Sequence, residues 1–443
     1  MSEASFQAPA SLLIVGSGVF GLSTAYALTQ RPEWASTRIT VLDRAARGQP
    51  YPARDAASID SSRIIRADYA DPAYASLACQ AQVEWRKQGP DHIGGEGRYT
   101  ESGLALVADE GPLVKRSSHG HEVKTGLGFA RQAYANAVHE ARREGRPEGF
   151  IRVLDGPDAV RGASGTDAPF GDWGYLNPGS GWADAEAAMD WLYARVAATG
   201  RVEFASGTVA CLEVEGRRVV GAKLTDGQSL RADLVLLAAG AWTPSLLDVR
   251  GQVVATGQIL GYLQLDDAEQ KKLDKVPVML NLSSGAFLIP PRNKVLKVGL
   301  HAYGYQNPKK ITTALVVPKG PSDSNPFPEI TVSQPYTHLD DPDIWMPAES
   351  EQALRRGLQK MVPWPELKER PFTANRVCWY TDTATGDFLI SYHPHWEGLF
   401  IATGGSGHGF KFLPVLGDKI ADCVQGKCPT EFQNKWQWKE VND

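Results

Sequence analysis

The chain has 443 residues, 42% of them hydrophobic, with 46 Lys and Arg against 51 Asp and Glu for a formal net charge of -5. That length holds two or three domain-sized cores, so a cofactor domain plus a substrate domain is the natural expectation. The mild negative charge leaves no polybasic patch, which argues against nucleic acid or an anionic membrane as partner.

Residues 12–21 read LLIVGSGVFG, and an amphipathic run then leads to ITVLDR, with Asp43 about twenty residues past the last glycine, as a dinucleotide-binding βαβ unit requires. Gly16 makes the tight turn out of the strand, Gly18 lets backbone approach a pyrophosphate, and Gly21 allows close helix–strand packing. The helix N-terminus faces the phosphates, and Asp43 suits a free ribose 2′-hydroxyl, as in FAD or NAD, because its charge repels the 2′-phosphate of NADP. Ser17, Val19, Phe20 and Arg44 join this candidate cofactor set. The competing reading is a parallel-sheet turn without a ligand. The uncharged stretch 4–30 lacks a basic n-region and carries the glycines in its middle, so it reads as a buried strand and helix, not a signal peptide or membrane span.

A polar segment at 45–62, rich in Gly, Pro, Ala and Ser, reads as a loop beside the cofactor. Helices are expected over 74–88 and 182–198, with strands around a turn at 98–110. From residue 201 four short strands follow, with hairpin turns at Glu215-Gly216 and Asp226-Gly227, closing in an apolar strand over 234–238. That strand and the small residues after it, Ala239-Gly240-Ala241-Trp242, resemble a flavoprotein pattern in which backbone passes close to the cofactor; Val209 is placed in the same site. Apolar runs over 276–303 around a Pro290-Pro291 turn suit a substrate-domain sheet, and 309–344, rich in Pro, Ser and Asp, reads as a surface excursion. The final LFIATGGSGHGFKFLPVLG repeats strand, glycine turn and helix. The expected fold is therefore α/β: a discontinuous Rossmann-like cofactor domain (10–88, 155–245 and 376–430) and an α+β substrate domain on a mixed or antiparallel sheet (89–154 and 246–375).

Five cysteines, Cys79, Cys211, Cys378, Cys423 and Cys428, show neither CxxC nor metal-type spacing with histidine. Free thiols in a reducing compartment and no metal are expected. The C-terminal EVND is neither a lipidation box nor a peroxisomal tripeptide, so the location expected is cytoplasmic. Ser406 and His408 in GGSGHG miss the nucleophile-elbow spacing by one residue, which removes a hydrolase reading.

Four segments together, GSGVFG with Asp43, SSRIIRADY (61–69), LKVGLHAYG (296–304) and VCWYTDT followed by GGSGHGFKF, resemble the FAD-dependent amine oxidases typified by monomeric sarcosine oxidase, with the fungal fructosyl amino acid, pipecolate and saccharopine oxidases. The resemblance spans nearly the whole chain. On residues alone, Cys378 is a small buried hydrophobe, as most unpaired cysteines are. The resemblance implies instead a thioether to the flavin 8α-methyl carbon, since Cys378, Tyr380, Thr381 and Thr383 reproduce the family's C-x-Y-T-x-T pattern.

Arg63 and Arg66 could be surface arginines flanking an apolar turn, yet a planar fork of donors here can clamp a carboxylate. The resemblance puts Arg63, after Ser62, beside the flavin ring and Arg66 on the substrate carboxylate, shared with Lys411. Gly405, Gly407, Gly409 and Phe410 belong to the turn that offers backbone N–H groups to the flavin's pyrimidine side. Lys297 reads as an exposed strand lysine from alternation alone, whereas the resemblance implies a lysine near flavin N5 that activates dioxygen. His301 and Tyr380 fall in the expected substrate pocket, with a packed histidine and a structural tyrosine as the alternatives.

The implied protein is a monomeric oxidase of a secondary α-amino acid that forms an imine and hydrogen peroxide, with dioxygen and the amino acid as its partners. RIIR leans toward the sarcosine, pipecolate and saccharopine side, while GYLNPGSGWADAEAAMDWL and NKWQWKE look like the branch with Amadori-product enzymes. A biosynthetic N-methyl amino acid oxidase, a dehydrogenase with a non-oxygen acceptor and a noncatalytic flavin binder remain open.

Overall fold

The computed structural model describes residues 6–45, 51–116, 122–301, 304–318, 320 and 325–440. Parts of the expected cofactor-side loop (46–50), of the 276–303 segment (302 and 303) and of the 309–344 segment (319 and 321–324) lie outside the described residues.

The apolar N-terminal run forms the strand Ser11–Val15 and the helix Val19–Thr29. This strand sits inside a six-stranded sheet ordered Val202–Ser206, Arg38–Asp43, Ser11–Val15, Leu234–Leu237, Leu399–Thr403, Leu389–Tyr392. The first five strands are parallel and the last is antiparallel. In its centre, residues 12–15, 234–237 and 399–402 are buried on both faces, which is why the sequence there is a continuous apolar run and not an alternation. The C-terminal strand thus completes the sheet begun at the N-terminus, and the cofactor layer is discontinuous along the chain.

A second, mixed sheet of eight strands runs Ala374–Thr383, Val253–Gln264, Val295–Leu300, Ala286–Arg292, Val278–Asn281, Leu104–Ala108, Trp173–Asn177, Arg152–Asp155. All its neighbours are antiparallel except Val278–Asn281 with Leu104–Ala108. A small three-stranded sheet places Arg63–Ile65 against Gly181–Ala183 and the latter against Tyr99–Thr100. Among the described residues no helix is long and apolar enough to cross a membrane.

Several local expectations shift. The first expected helix is Pro72–Arg86, started by Asp71, whose side chain accepts from Ala73 N and Tyr74 N ahead of a proline in the first turn. The second begins at Ala185, capped by Asp184, because Trp182 belongs to the strand Gly181–Ala183. The Pro290-Pro291 pair is not a turn. Both prolines lie within Ala286–Arg292, where pairing with Val295–Leu300 slips between Ile289 and Arg292, so their missing N–H groups cost no regular ladder bond. The turn is made by Asn293 and Lys294, both at positive φ (51° and 62°), the geometry of a tight hairpin. The 309–344 segment is no mere surface excursion: Pro308–Ile311 pairs with Ile330–Ser333, and Trp379 donates its indole N–H to Tyr336 O at 2.8 Å.

Candidate active site

Two cavities meet between the sheets. The first, about 650 Å³, opens at the C-terminal end of Ser11–Val15. At Gly16 (φ +104°) a Cβ would lie 2.4 Å from Ala238 O, and at Gly21 one would lie 1.8 Å from Gly16 O, so both positions exclude a side chain. At Gly18 a Cβ would meet nothing nearer than Ser58 Oγ at 3.8 Å, because that backbone borders the cavity. Asp43, at the end of its strand, also lines it, and one carboxylate oxygen accepts from Ser17 N (2.8 Å) and Oγ (2.5 Å). Ser17 is fully buried and acts through Asp43. Val19, Phe20 and Arg44 border the same space; Arg44 lies 3.9 Å above the Trp242 ring and is paired with Asp55.

Val209, Ala239, Gly240 and Trp242 also line it, as do Gly405, Gly407, Gly409 and Phe410. The 309–344 segment contributes Lys309, Gln334, Tyr336 and Asp340 to the rim. A glycine-lined strand-to-helix turn, a carboxylate on the neighbouring strand and an elongated space between them fit an adenine dinucleotide.

The second cavity, about 550 Å³, shares Arg63, Tyr380, Gly407, His408 and Phe410 with the first. Arg66, Lys297, His301 and Lys411 all line it, so three segments remote in sequence are brought to one space. Arg66 lies with its guanidinium carbon 5.0 Å from the Tyr69 ring centre and donates to Asp68 O. Lys411 is 5% exposed, its ammonium donating to His408 O at 2.9 Å and lying 5.3 Å from the Tyr69 ring. Burial, reinforced by Arg66, pushes the Lys411 ammonium well below its ordinary range. Trp85 fixes the Lys411 backbone through its indole N–H to Lys411 O, 2.8 Å.

His301 has surface open to the cavity yet is crowded by protein, and that crowding, with the charges of Arg66 and Lys411, lowers its pKa to about 4. The neutral imidazole lies 5.9 Å from the Tyr380 ring. Burial raises the Tyr380 hydroxyl, which stays protonated at neutral pH.

Lys297 is not the exposed strand lysine that alternation suggests: it is 2% exposed. Its ammonium donates to Asp60 Oδ2 at 2.8 Å and to Ser62 O, so Ser62 contributes its carbonyl and lines neither cavity. Burial pushes Lys297 down to about 8, with Asp60 opposing and Arg63 adding to the fall. Cys378 is 1% exposed and also lines neither cavity; its sulfur lies 3.4 Å from an Arg63 nitrogen, and Arg63 borders both.

Sequence reasoning missed Asp60, Arg376 and the buried pair Tyr69 and His408. Asp60 hid in a polar loop, although its place three residues before Arg63 was a usable signal. His408 Nδ1 accepts from the Tyr69 hydroxyl at 2.9 Å and Nε2 donates to Gly386 O at 2.7 Å, while Ser406 bonds to Thr383 and Gly404, so no hydrolase pair exists here.

A dinucleotide cavity joined through shared walls to a cation-lined pocket defines a flavin oxidoreductase, and the FAD dependent oxidoreductase family model matches residues 11–423. The chain belongs to this family. It is similar to amino acid oxidase imqH of Aspergillus flavus, 34% identical over 94% of this chain and 93% of the relative. It is similar also to amino acid oxidase fsqB of Aspergillus fumigatus, 33% identical over 93% and 91%. Among solved structures, a thermally stable mutant of fructosyl peptide oxidase superposes with a TM-score of 0.78 at 25% identity, covering 98% of this chain and 94% of that one.

Proposed function

We propose that the protein is an FAD-dependent oxidase of a secondary α-amino acid, N-alkyl or cyclic, that converts the carbon–nitrogen bond to an imine and reduces dioxygen to hydrogen peroxide. The observation that carries this reading is the cationic end of the second cavity, where Arg66 and Lys411 face a space lined also by neutral His301 and joined to the cofactor cavity through Arg63 and Tyr380. A substrate carboxylate there is held by the Arg66 fork and the Lys411 ammonium. The same positive charge disfavours a second cation, so the substrate nitrogen binds deprotonated with its lone pair available.

Bound FAD supplies the acceptor for the two electrons leaving the substrate. The backbone at Gly18 would hold its pyrophosphate, Asp43 a ribose hydroxyl, and the turn 404–409 the pyrimidine side of the ring. The H–C–N–H unit loses two electrons and two protons to become C=N, and dioxygen gains two electrons and two protons to become hydrogen peroxide. Lys297 places positive charge where dioxygen acquires negative charge.

Phe129, Leu260, Leu280, Leu282, Phe287 and Ile289 line the same cavity. These six apolar side chains favour an apolar substituent over a sugar where the substrate packs against them. The names of imqH and fsqB support the amino acid reading, and the fructosyl peptide oxidase likeness supports the glycated alternative.

Cys378 is proposed as the covalent flavin anchor. Acid-denatured protein should stay yellow, and the Cys378→Ala variant should release its flavin into the supernatant. The test of function is anaerobic flavin bleaching with N-methyl, cyclic, glycated and glutarate-linked amino acids, followed by admission of air. N-methyl or cyclic substrates with apolar side chains should bleach fastest and yield one peroxide per turnover. No bleaching with any of them sinks the reading, faster bleaching by glycated compounds selects the alternative, and reoxidation only by an artificial acceptor makes it a dehydrogenase.

A further inference from the structure

Asp60 is a buried carboxylate, its side chain 2% exposed, that lines neither cavity but pairs with Arg63, which borders both, and with Lys297, which borders the second. Both carboxylate oxygens are engaged: Oδ2 accepts from Lys297 Nζ at 2.8 Å and from Arg63, and Oδ1 accepts from Ser61 N at 2.6 Å and Tyr262 OH at 2.8 Å. The neighbours come from separate elements, the strands Val295–Leu300, Arg63–Ile65 and Val253–Gln264. A lone carboxylate in such a place would be costly, and so would a lone ammonium. They are stable only together, and the Lys297 ammonium is thereby held on one side by Asp60 and Ser62 O while it borders the second cavity.

Resting on the role given to Lys297 above, we propose that Asp60 is the positioning residue that fixes the Lys297 ammonium at the cavity wall, and that reaction of the reduced enzyme with dioxygen depends on it. Groups facing Lys297 are Asp60, Arg63 and Cys378; those facing Asp60 are Lys297, Arg63, Arg376 and Tyr262. Burial would raise the Asp60 carboxyl, but Lys297, Arg63 and Arg376 reverse this and hold it far below its ordinary range, so it carries its charge throughout the working pH range. Lys297, near 8, loses its proton as pH rises through that value. Without the carboxylate, burial and Arg63 outweigh what remains at Lys297, and the proton leaves at lower pH.

The experiment reduces the holoenzyme anaerobically with substrate, mixes it with dioxygen and follows reoxidation across pH 6 to about 10 for wild type, Asp60→Asn and Lys297→Met. Wild type should lose rate with a midpoint close to that of Lys297. In Asp60→Asn the midpoint should fall by about one unit or more and the rate at pH 8 by about fivefold or more, the protonated fraction there dropping from about one half to about one eleventh. Asp60→Glu should restore the wild-type midpoint. Independently of turnover, the Lys297 Nζ resonance of lysine-15N-labelled protein, assigned by its loss in Lys297→Met, should show the same displacement in Asp60→Asn.

An Asp60→Asn enzyme with wild-type midpoint and rate overturns the proposal. Reoxidation of Lys297→Met at the wild-type rate instead overturns the role of Lys297, which is a separate result. Should Asp60→Asn fail to fold, the double variant with Lys297→Met removes the carboxylate and the ammonium together, so that Arg63 is the member of the buried cluster left without its carboxylate partner. It should reoxidise at the Lys297→Met rate, and a further tenfold loss would show that Asp60 acts through another group and overturn the proposal.

Discussion

The first cavity is shaped mainly by main chain: at Gly16 and Gly21 there is no room for a side chain, and at Gly18, Gly405 and Gly409 the backbone itself borders or closes the space. The second is shaped by side chains, with Arg66, Lys297 and Lys411 delivered from segments more than a hundred residues apart and apolar groups among them. The first therefore tolerates little change in shape and the second little change in charge. Substitutions that respect one rule and break the other separate the two.

The largest effect is expected at Gly21→Ala, whose new methyl would collide with Gly16 O and push the helix Val19–Thr29 off its strand. Loss of flavin and a destabilisation of about 3 kcal/mol or more should follow, read from flavin content and thermal unfolding. Next, Arg66→Gln should lower kcat/KM by on the order of 10²-fold, about 3 kcal/mol, with flavin content unchanged. Arg66→Lys should not restore it, because a point charge cannot reproduce the planar fork. Wild-type activity in both variants would place the carboxylate elsewhere.

A pH effect of intermediate size comes from His301, His393 and His408. Burial lowers the first two to about 4 and the third to about 3, with Arg66 and Lys411 adding at His301, His395 at His393 and Lys411 at His408. Their ordinary value is 6.5, so between about 4 and 6.5 the unfolded chain binds more protons than the folded one. Stability should fall as pH drops through that window, with about three protons taken up on unfolding near pH 5. Denaturant unfolding at several pH values measures the slope, and a flat profile would show that these rings are hydrated. The smallest effect is expected at Gly409→Ala, where a Cβ would stand 3.2 Å from the Phe20 ring. A shift of the ring should cost about 1 kcal/mol or less and perturb the flavin absorption more than the melting temperature.

Local signals were read well where they depend on a few consecutive residues. Glu215-Gly216 and Asp226-Gly227 are hairpin turns, with Gly216 at φ 60° and Gly227 at φ 91°, as left-handed turn positions demand. Pro290-Pro291 misled because proline marks a turn only when the chain must bend there, and here a slip in strand pairing absorbed both residues. The 309–344 segment looked like surface because its composition is polar, yet its backbone caps Trp379 and borders the cofactor cavity. Lys297 looked exposed because alternation along a strand reports two faces without saying that both are covered.

What the sequence by itself determined is the βαβ unit with Gly16, Gly18, Gly21 and Asp43, since backbone geometry is written within short windows; the cations Arg63, Arg66, Lys297 and Lys411 were singled out by the family resemblance. What only the tertiary structure decided is which of those charges share a wall and which carboxylate holds them. Asp60 and Lys297 are 237 residues apart. No local propensity links two such groups; their pairing exists because strand packing removes both from water and leaves each as the other's partner.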